Sequence, residues 1–218
     1  VFIVQAPFGA EYSSSLKPQL AAAGFKVAYE TAYPSPPKDL TTEIKAAKAA
    51  GPDTLIARAY PPDTFMPTEP SIANGFTPKI RFLGVGTAFP PYKAKFGDKI
   101  DGIFGLGGWD PNGPGMKDYF ARHKALPANK GAEPDRWASA PTYAGLEALE
   151  QAIERVGEID RAKILAELKS ATFKTIAGDL KLPGNYDAQA WLIGQWQGGE
   201  YYAVAPASRA GAKAPIIK

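Results

Sequence analysis

Few residues in this sequence have the types and spacing to make or break bonds. There is no cysteine, which excludes thiolate nucleophiles and cysteine metal sites. The single histidine, His123, stands between Arg122 and Lys124, the pattern of a solvated helix face. One histidine cannot build a His-rich metal centre, and no carboxylate pair has the spacing of a recognised motif. A nucleophile elbow of the Gly-x-Ser-x-Gly type is absent, and so is a P-loop. Gly105-x-Gly107 continues to Asp110 where a dinucleotide fingerprint needs glycine, and Gly84-x-Gly86 continues to Phe89. These residues point away from an enzyme, with no cofactor and no metal implied.

What remains is a set of aromatic and small residues whose meaning depends on the elements that carry them. Residues 1–5, 25–29, 53–59, 80–85 and 100–106 are short apolar runs that read as strands. Between the first two lies a helical stretch at 11–23, closed by Gly24. A second begins near Asp39-Leu40-Thr41-Thr42 and stops at Gly51-Pro52. Strands alternating with helices imply βαβ crossovers and a mostly parallel sheet, so residues 1–107 read as one α/β lobe. In such a sheet the loops after the strand C-termini line the ligand crevice. Those loops hold Phe8, Tyr60, Gly86-Thr87 and Gly108-Trp109. Each aromatic has two readings: it lines the crevice, or it anchors its loop on the lobe.

The turn cluster at 105–115 breaks the alternation, and a lobe crossing is placed there. A mainly helical tract, 108–183, follows, with helices at 116–125 and 139–156 and a third capped by Asp160. Tyr143, Leu146, Leu149, Ile153 and Val156 fall on one stripe of the second helix, yet the tract carries no parallel strands to cover them. Tyr143 either faces the crevice or packs in a core. Residues 184–218 return to the α/β lobe of residues 1–107, with strands at 190–197 and 201–205 flanking a Gly198-Gly199 hairpin turn. Short strands are also expected at 173–176 and 180–182. Trp137, Trp191 and Trp196 read as packing residues, and the tail after Pro206 as loosely held.

Charge and composition narrow the function classes. Hydrophobic residues make up 45% and charged residues 22%, as in ordinary globular chains. The net charge of +3 is dispersed, with no basic block to suggest nucleic acid. No apolar run is long enough for a membrane helix, and Val1-Phe2-Ile3-Val4 lacks the length and basic flank of a signal peptide.

An ordered series of short motifs resembles one family. Val1-Phe2-Ile3-Val4 with Phe8-Gly9, Asp39-Leu40-Thr41, and Ala49-Ala50-Gly51-Pro52-Asp53 open the series. Phe82-Leu83-Gly84, Ile100-Asp101-Gly102-Ile103, Arg136-Trp137-Ala138-Ser139 and Thr142-Tyr143-Ala144-Gly145-Leu146 continue it. Thr175-Ile176-Ala177-Gly178-Asp179-Leu180 and Gly194-Gln195-Trp196 close it. Together they are similar to type I periplasmic solute-binding proteins of ABC transporters, of the branched-chain amino acid (Leu/Ile/Val) binding kind, without the usual N-terminal segment.

The resemblance implies an α/β fold with one complete parallel-sheet lobe, the family's second, and the helical remainder of the first. It implies a periplasmic receptor that captures a small organic solute by lobe closure and delivers it to an ABC transporter permease. A ligand-sensing regulatory module of the same fold is the alternative. Phe8 and Tyr60 fall where relatives carry aromatics over the ligand. Relatives that bind amino acids tend to place an acid in the loop after the fourth strand, where this chain has Gly84-Val85-Gly86-Thr87-Ala88-Phe89. An ammonium buried without a counter-charge costs on the order of several kcal/mol, which favours an uncharged or anionic ligand, although Asp110 lies near. The first lobe's strands would come from a missing N-terminal segment, and that segment or another copy of the chain would cover the stripe.

Overall fold

The computed structural model describes residues 1–36, 38–58, 60–113, 115–187 and 192–217. In chain order its first elements are β1 (Phe2–Val4), α1 (Pro7–Ala22), β2 (Thr31–Tyr33), α2 (Thr41–Ala49) and β3 (Thr54–Arg58). Next come α3 (Phe65–Ala73), β4 (Ile80–Leu83), α4 (Pro90–Phe96) and β5 (Ile103–Leu106). Three helices follow: α5 (Met116–Ala125), α6 (Ser139–Val156) and α7 (Arg161–Ser170). The last strands are β6 (Thr172–Thr175), β7 (Gly178–Lys181), β8 (Ile193–Gln197) and β9 (Glu200–Ala205). The chain divides into two compact units. One comprises Val1–Leu106, Gly194–Tyr201 and Ala214–Lys218, the other Gly107–Ile193 and Tyr202–Lys213.

Seven strands form one sheet in the order β2-β1-β3-β4-β5-β8-β9, with parallel pairing from β2 through β5. Buried Phe2, Val4, Leu55, Ala57, Leu83 and Ile103 supply the continuous apolar strands that a covered parallel sheet needs. The chain goes from β1 out to β2 on one side, then back across to β3 on the other. Right-handed crossovers therefore put α1 on one face and α2 and α3 on the other, and the strand order switches between β1 and β3.

Several element boundaries differ from those read in the sequence. Residues 25–30 form no ladder; the second strand is Thr31–Tyr33, because Phe2 of β1 pairs with Thr31. Helices α3 and α4 fill the crossovers that the strand alternation implies, although the sequence reading set no bounds for them. Their prolines disguise them: Pro90 opens α4, and Pro70 sits inside α3. Within α3 the hydroxyls of Thr68 and Ser71 donate to the carbonyls of Thr64 and Pro67, the back-bonding by which such side chains are accommodated inside a helix. The turn at Gly198-Gly199 has positive φ at both residues, which glycine adopts without strain. Of the strand expected at 190–197, residues 190 and 191, with Trp191, lie outside the described residues.

In the second unit α6 buries an alanine face, Ala140, Ala144, Ala148 and Ala152, rather than the stripe of larger side chains. The antiparallel pair β6–β7 and helix α7 supply the surface that no parallel strand provides. Ile153 and Val156 pack against a core of Ala148, Ala152, Ile164 and Phe173, and Tyr143 packs against Trp109, Met116 and Tyr119. Only Leu146 and Leu149 of the stripe stand open, at 60% and 39% exposure. The expected orphan stripe is thus largely covered by the chain's own hairpin.

The C-terminal tail is also held. Gln195, fully buried on β8, donates through Nε2 to the Ile216 carbonyl (2.7 Å) and accepts from the Ile216 amide at Oε1 (2.8 Å). Gln197 donates to the Ala214 carbonyl at 2.9 Å. Two glutamines act as backbone surrogates where a further strand would pair.

Phe173 joins β6 to α6 with no exposed surface, and the Arg155 guanidinium lies 4.9 Å from its ring centre. Phe173→Ala should cost about 3–5 kcal/mol, read by denaturant unfolding followed with a probe in the second unit. A loss below about 1 kcal/mol would mean the hairpin is not the surface on which α6 depends.

Candidate functional site

At the switch between β1 and β3 the first unit brings aromatic rings and one cation together. Arg58 is the last residue of β3, its backbone fixed by register opposite Ile3 and by the Tyr33 hydroxyl, which donates to its carbonyl at 3.3 Å. Phe8 lies in the first turn of α1 because Pro7, with its preset φ, starts the helix directly after β1. Phe8 and Tyr12, one helical turn apart, both meet the guanidinium, whose carbon is 5.2 Å and 4.3 Å from their ring centres. Tyr60, just beyond β3, stacks on Phe8 with ring centres 5.5 Å apart and keeps 41% of its surface open.

The electrostatics of this cluster are unbalanced. Arg58 is 8% exposed, and among the described residues its side chain makes no hydrogen bond and no ion pair; its Nε is buried without a partner. Burial pushes its pKa down, with the Tyr12 side chain opposing, and burial raises the Tyr12 hydroxyl while Arg58 lowers it. The one acid on the neighbouring turn, Asp63, is buried and accepts a hydrogen bond from the Ser35 hydroxyl at 2.7 Å. No acid stands in the first turn of α1, and no side chain caps it.

The other expected residues of this unit hold the loops. Thr87 has no exposed surface, and its hydroxyl donates to the Gly84 carbonyl (3.3 Å) while its carbonyl accepts from Trp196 Nε1 (2.9 Å). Gly86 packs its Cα against the next loop, where a Cβ would come within 2.4 Å of the Pro61 carbonyl, and its amide donates to Thr64 Oγ1 at 3.1 Å. The loops after β3 and β4 are thereby tied together beneath Tyr60.

Three expected residues fall in the second unit. Gly108 lets the backbone approach Tyr202 and Ala203, which a Cβ would meet at 2.8–2.9 Å. Trp109 bridges to Tyr202, is 5% exposed, and keeps a buried Nε1 without a hydrogen-bond partner among the described residues. It lines a pocket with Ala177, Gly178, Asp179 and Arg209. Tyr143 lies 5.0 Å from Tyr119 by ring centres, and its hydroxyl accepts from Arg122 at 3.2 Å. Asp110, the acid nearest that loop, caps its own turn by accepting from the Asn112 amide at 2.9 Å.

The sequence reading passed over Arg58, Tyr12 and Asp63. Arg58 closes a strand run otherwise made of Thr54-Leu55-Ile56-Ala57, and a charged residue at the C-terminal end of a covered parallel strand is the signal that was available. Among the described residues no cluster of metal-ligating side chains occurs, and no helix is long and apolar enough to cross a membrane.

A family model described as periplasmic binding protein matches residues 1–213. The chain belongs to the periplasmic binding protein family. Among curated relatives, a Leu/Ile/Val-binding protein homolog 8 of Brucella abortus (strain 2308) is 24% identical over 220 residues. That alignment covers 94% of this chain and 54% of the relative, so the chain spans about half the length of the family members it matches. A leucine binding protein, LivK, of Thermotoga maritima shares the fold with a TM-score of 0.72 at 22% identity, over 93% of this chain and 59% of that one. A solute-binding protein of an ABC transporter from R. palustris, solved in complex with benzoate, shares it with a TM-score of 0.72 at 18% identity. It covers 99% of this chain and 59% of the other. The mainly parallel sheet is therefore the type I fold of these neighbours, and enzyme chemistry is not what the family's members are described by.

Arg58→Met is expected to leave thermal stability equal to or above that of the parent chain. Loss of two ring contacts, about 0.5–2 kcal/mol each, is offset by removing an unpaired buried charge. A drop of more than about 2 kcal/mol in calorimetry would instead make Arg58 a structural strut.

Proposed function

We propose that this chain is part of an extracytoplasmic receptor that binds a small organic solute, carboxylate or amino-acid-like, and delivers it to an ABC importer. The observation that carries the reading is the face at the β1/β3 switch point, where Phe8 and Tyr60 stack beside an unpaired cation in a periplasmic binding protein. In this reading the first unit is the family's second lobe, and the second unit is the mainly helical remainder of the first. Phe8 and Tyr60 are the proposed solute contacts of the first unit, and Trp109 and Tyr143 those proposed for the second. Gly86, Thr87 and Gly108 serve by holding loops rather than by contact. Capture is by lobe closure, the partner is a membrane permease, and the compartment is the periplasm. Relatives nearly twice as long support the view that the first lobe's strands come from residues outside these 218, or from another copy of the chain.

Calorimetry of the 218-residue chain against a panel of carboxylates and amino acids tests this. With part of the crevice supplied from elsewhere, the chain alone should bind weakly, well above micromolar Kd, and addition of the remaining first-lobe segment should tighten binding at least tenfold, about 1.4 kcal/mol. Micromolar binding by this chain alone would overturn the divided-lobe part of the proposal. Absence of binding with the segment added would overturn the receptor itself.

A further inference from the structure

We infer that Arg58 is an anion anchor on the first unit, taking the carboxylate of a solute whose apolar body lies on Phe8 and Tyr60. The inference rests on the receptor reading and names its substrate class, an organic monoanion.

The argument begins with what Arg58 does not have. A guanidinium offers five N–H donors in a rigid fork, and aromatic faces attract the charge but supply no lone pairs for those donors. With Arg58 8% exposed and its side chain free of any hydrogen bond or ion pair among the described residues, the fork is held between the rings with its Nε buried and unpartnered. A cation buried in that state is expensive, and natural sequences keep such a group where something binds it. Its position is the second observation. The end of β3 at the strand-order switch is where ligands of open α/β sheets bind, and the first turn of α1, which bears Phe8, presents an uncapped helix N-terminus there.

The neighbours of Arg58 decide among ligand classes. A zwitterionic amino acid needs a carboxylate for its ammonium. Asp63 is buried and engaged by Ser35, and the loop at 84–89 has no acid. A phosphate dianion calls for more positive charge than one arginine, and no Lys or second Arg shares these contacts. A neutral solute would leave the fork unsatisfied and be disfavoured for that reason. One carboxylate on the fork, with an apolar or aromatic body against the Phe8–Tyr60 pair, satisfies both.

The test is a titration of the 15N-labelled chain with benzoate, benzamide and leucine, following the Arg58 Nε–H resonance at millimolar concentrations. Benzoate should move it saturably, while the neutral isostere benzamide leaves it in place. Arg58→Gln should weaken benzoate binding by about tenfold or more, with Arg58→Lys intermediate, because a lysine supplies the charge without the fork. Equal responses to benzoate and benzamide, or unaltered benzoate affinity in R58Q, would overturn the anchor while leaving a receptor for a neutral solute. Leucine binding tighter than benzoate would overturn the monoanion class. No saturable response to any of the three, in parent or variant, would overturn the anchor, while the receptor itself is decided by the calorimetry with the remaining first-lobe segment added. If R58Q does not fold, the Nε–H titration of the parent chain decides by itself.

Discussion

Parallel pairing is the constraint on which everything else in the first unit depends. Strands β2, β1, β3, β4 and β5 all point the same way, so every strand ends at one edge of the sheet and every return path must be a crossover. That edge therefore collects Phe8, Arg58 with Tyr60, and Gly86 with Thr87 from segments far apart in sequence. The change of direction at β1 then opens a gap between the loops that follow β1 and β3, because their helices leave on opposite faces. No side chain needs to be drawn to the site; topology delivers them.

Delivery is not enough to hold a loop still, and the sheet's far strands supply the rest. Trp196 on β8 reaches the Thr87 carbonyl, and Tyr201 on β9 lies against Trp196 with ring centres 5.2 Å apart. Burial raises the pKa of the Tyr201 hydroxyl, which donates to the Leu106 carbonyl at 3.3 Å. Thr64 then ties the loop after β4 to the turn after β3. The loop after β4 is thus fixed by Trp196 and Thr64, while Tyr60 stays open. Rigid support under an exposed aromatic is the arrangement of a contact surface rather than of a core.

How far this could be read from residues alone varies with the kind of signal. The parallel sheet was legible because continuous apolar runs such as Leu55-Ile56-Ala57 need cover on both faces, and the 139–156 helix because its stripe and Gly157 stop are unambiguous. Helices α3 and α4 were not, because proline reads as a breaker unless its place within the first turn is known. The stripe on α6 misled for a different reason. Large residues and alanines share the helix surface, and close packing against β6 and α7 selected the small ones, leaving Leu146 and Leu149 outside. At the site, the aromatics were legible by position, since loops follow strands. Arg58 was not: within a buried strand its type conflicts with its surroundings, and only the three-dimensional neighbourhood reveals that the conflict is left unresolved.

That unresolved conflict ties the absent acid to the present cation. A loop that bears no carboxylate at 84–89 offers no counter-charge to an ammonium. With Asp63 turned onto Ser35, the β1/β3 edge carries a net positive field made of one guanidinium and the positive end of α1. Local consistency is the rule in folded sequences, and departures from it concentrate where function demands them. Here the departure has a sign. In the receptor proposed above, a field that is positive and walled by rings would discriminate by charge first and by shape second, and the strand-end arginine would set which solutes the aromatics hold.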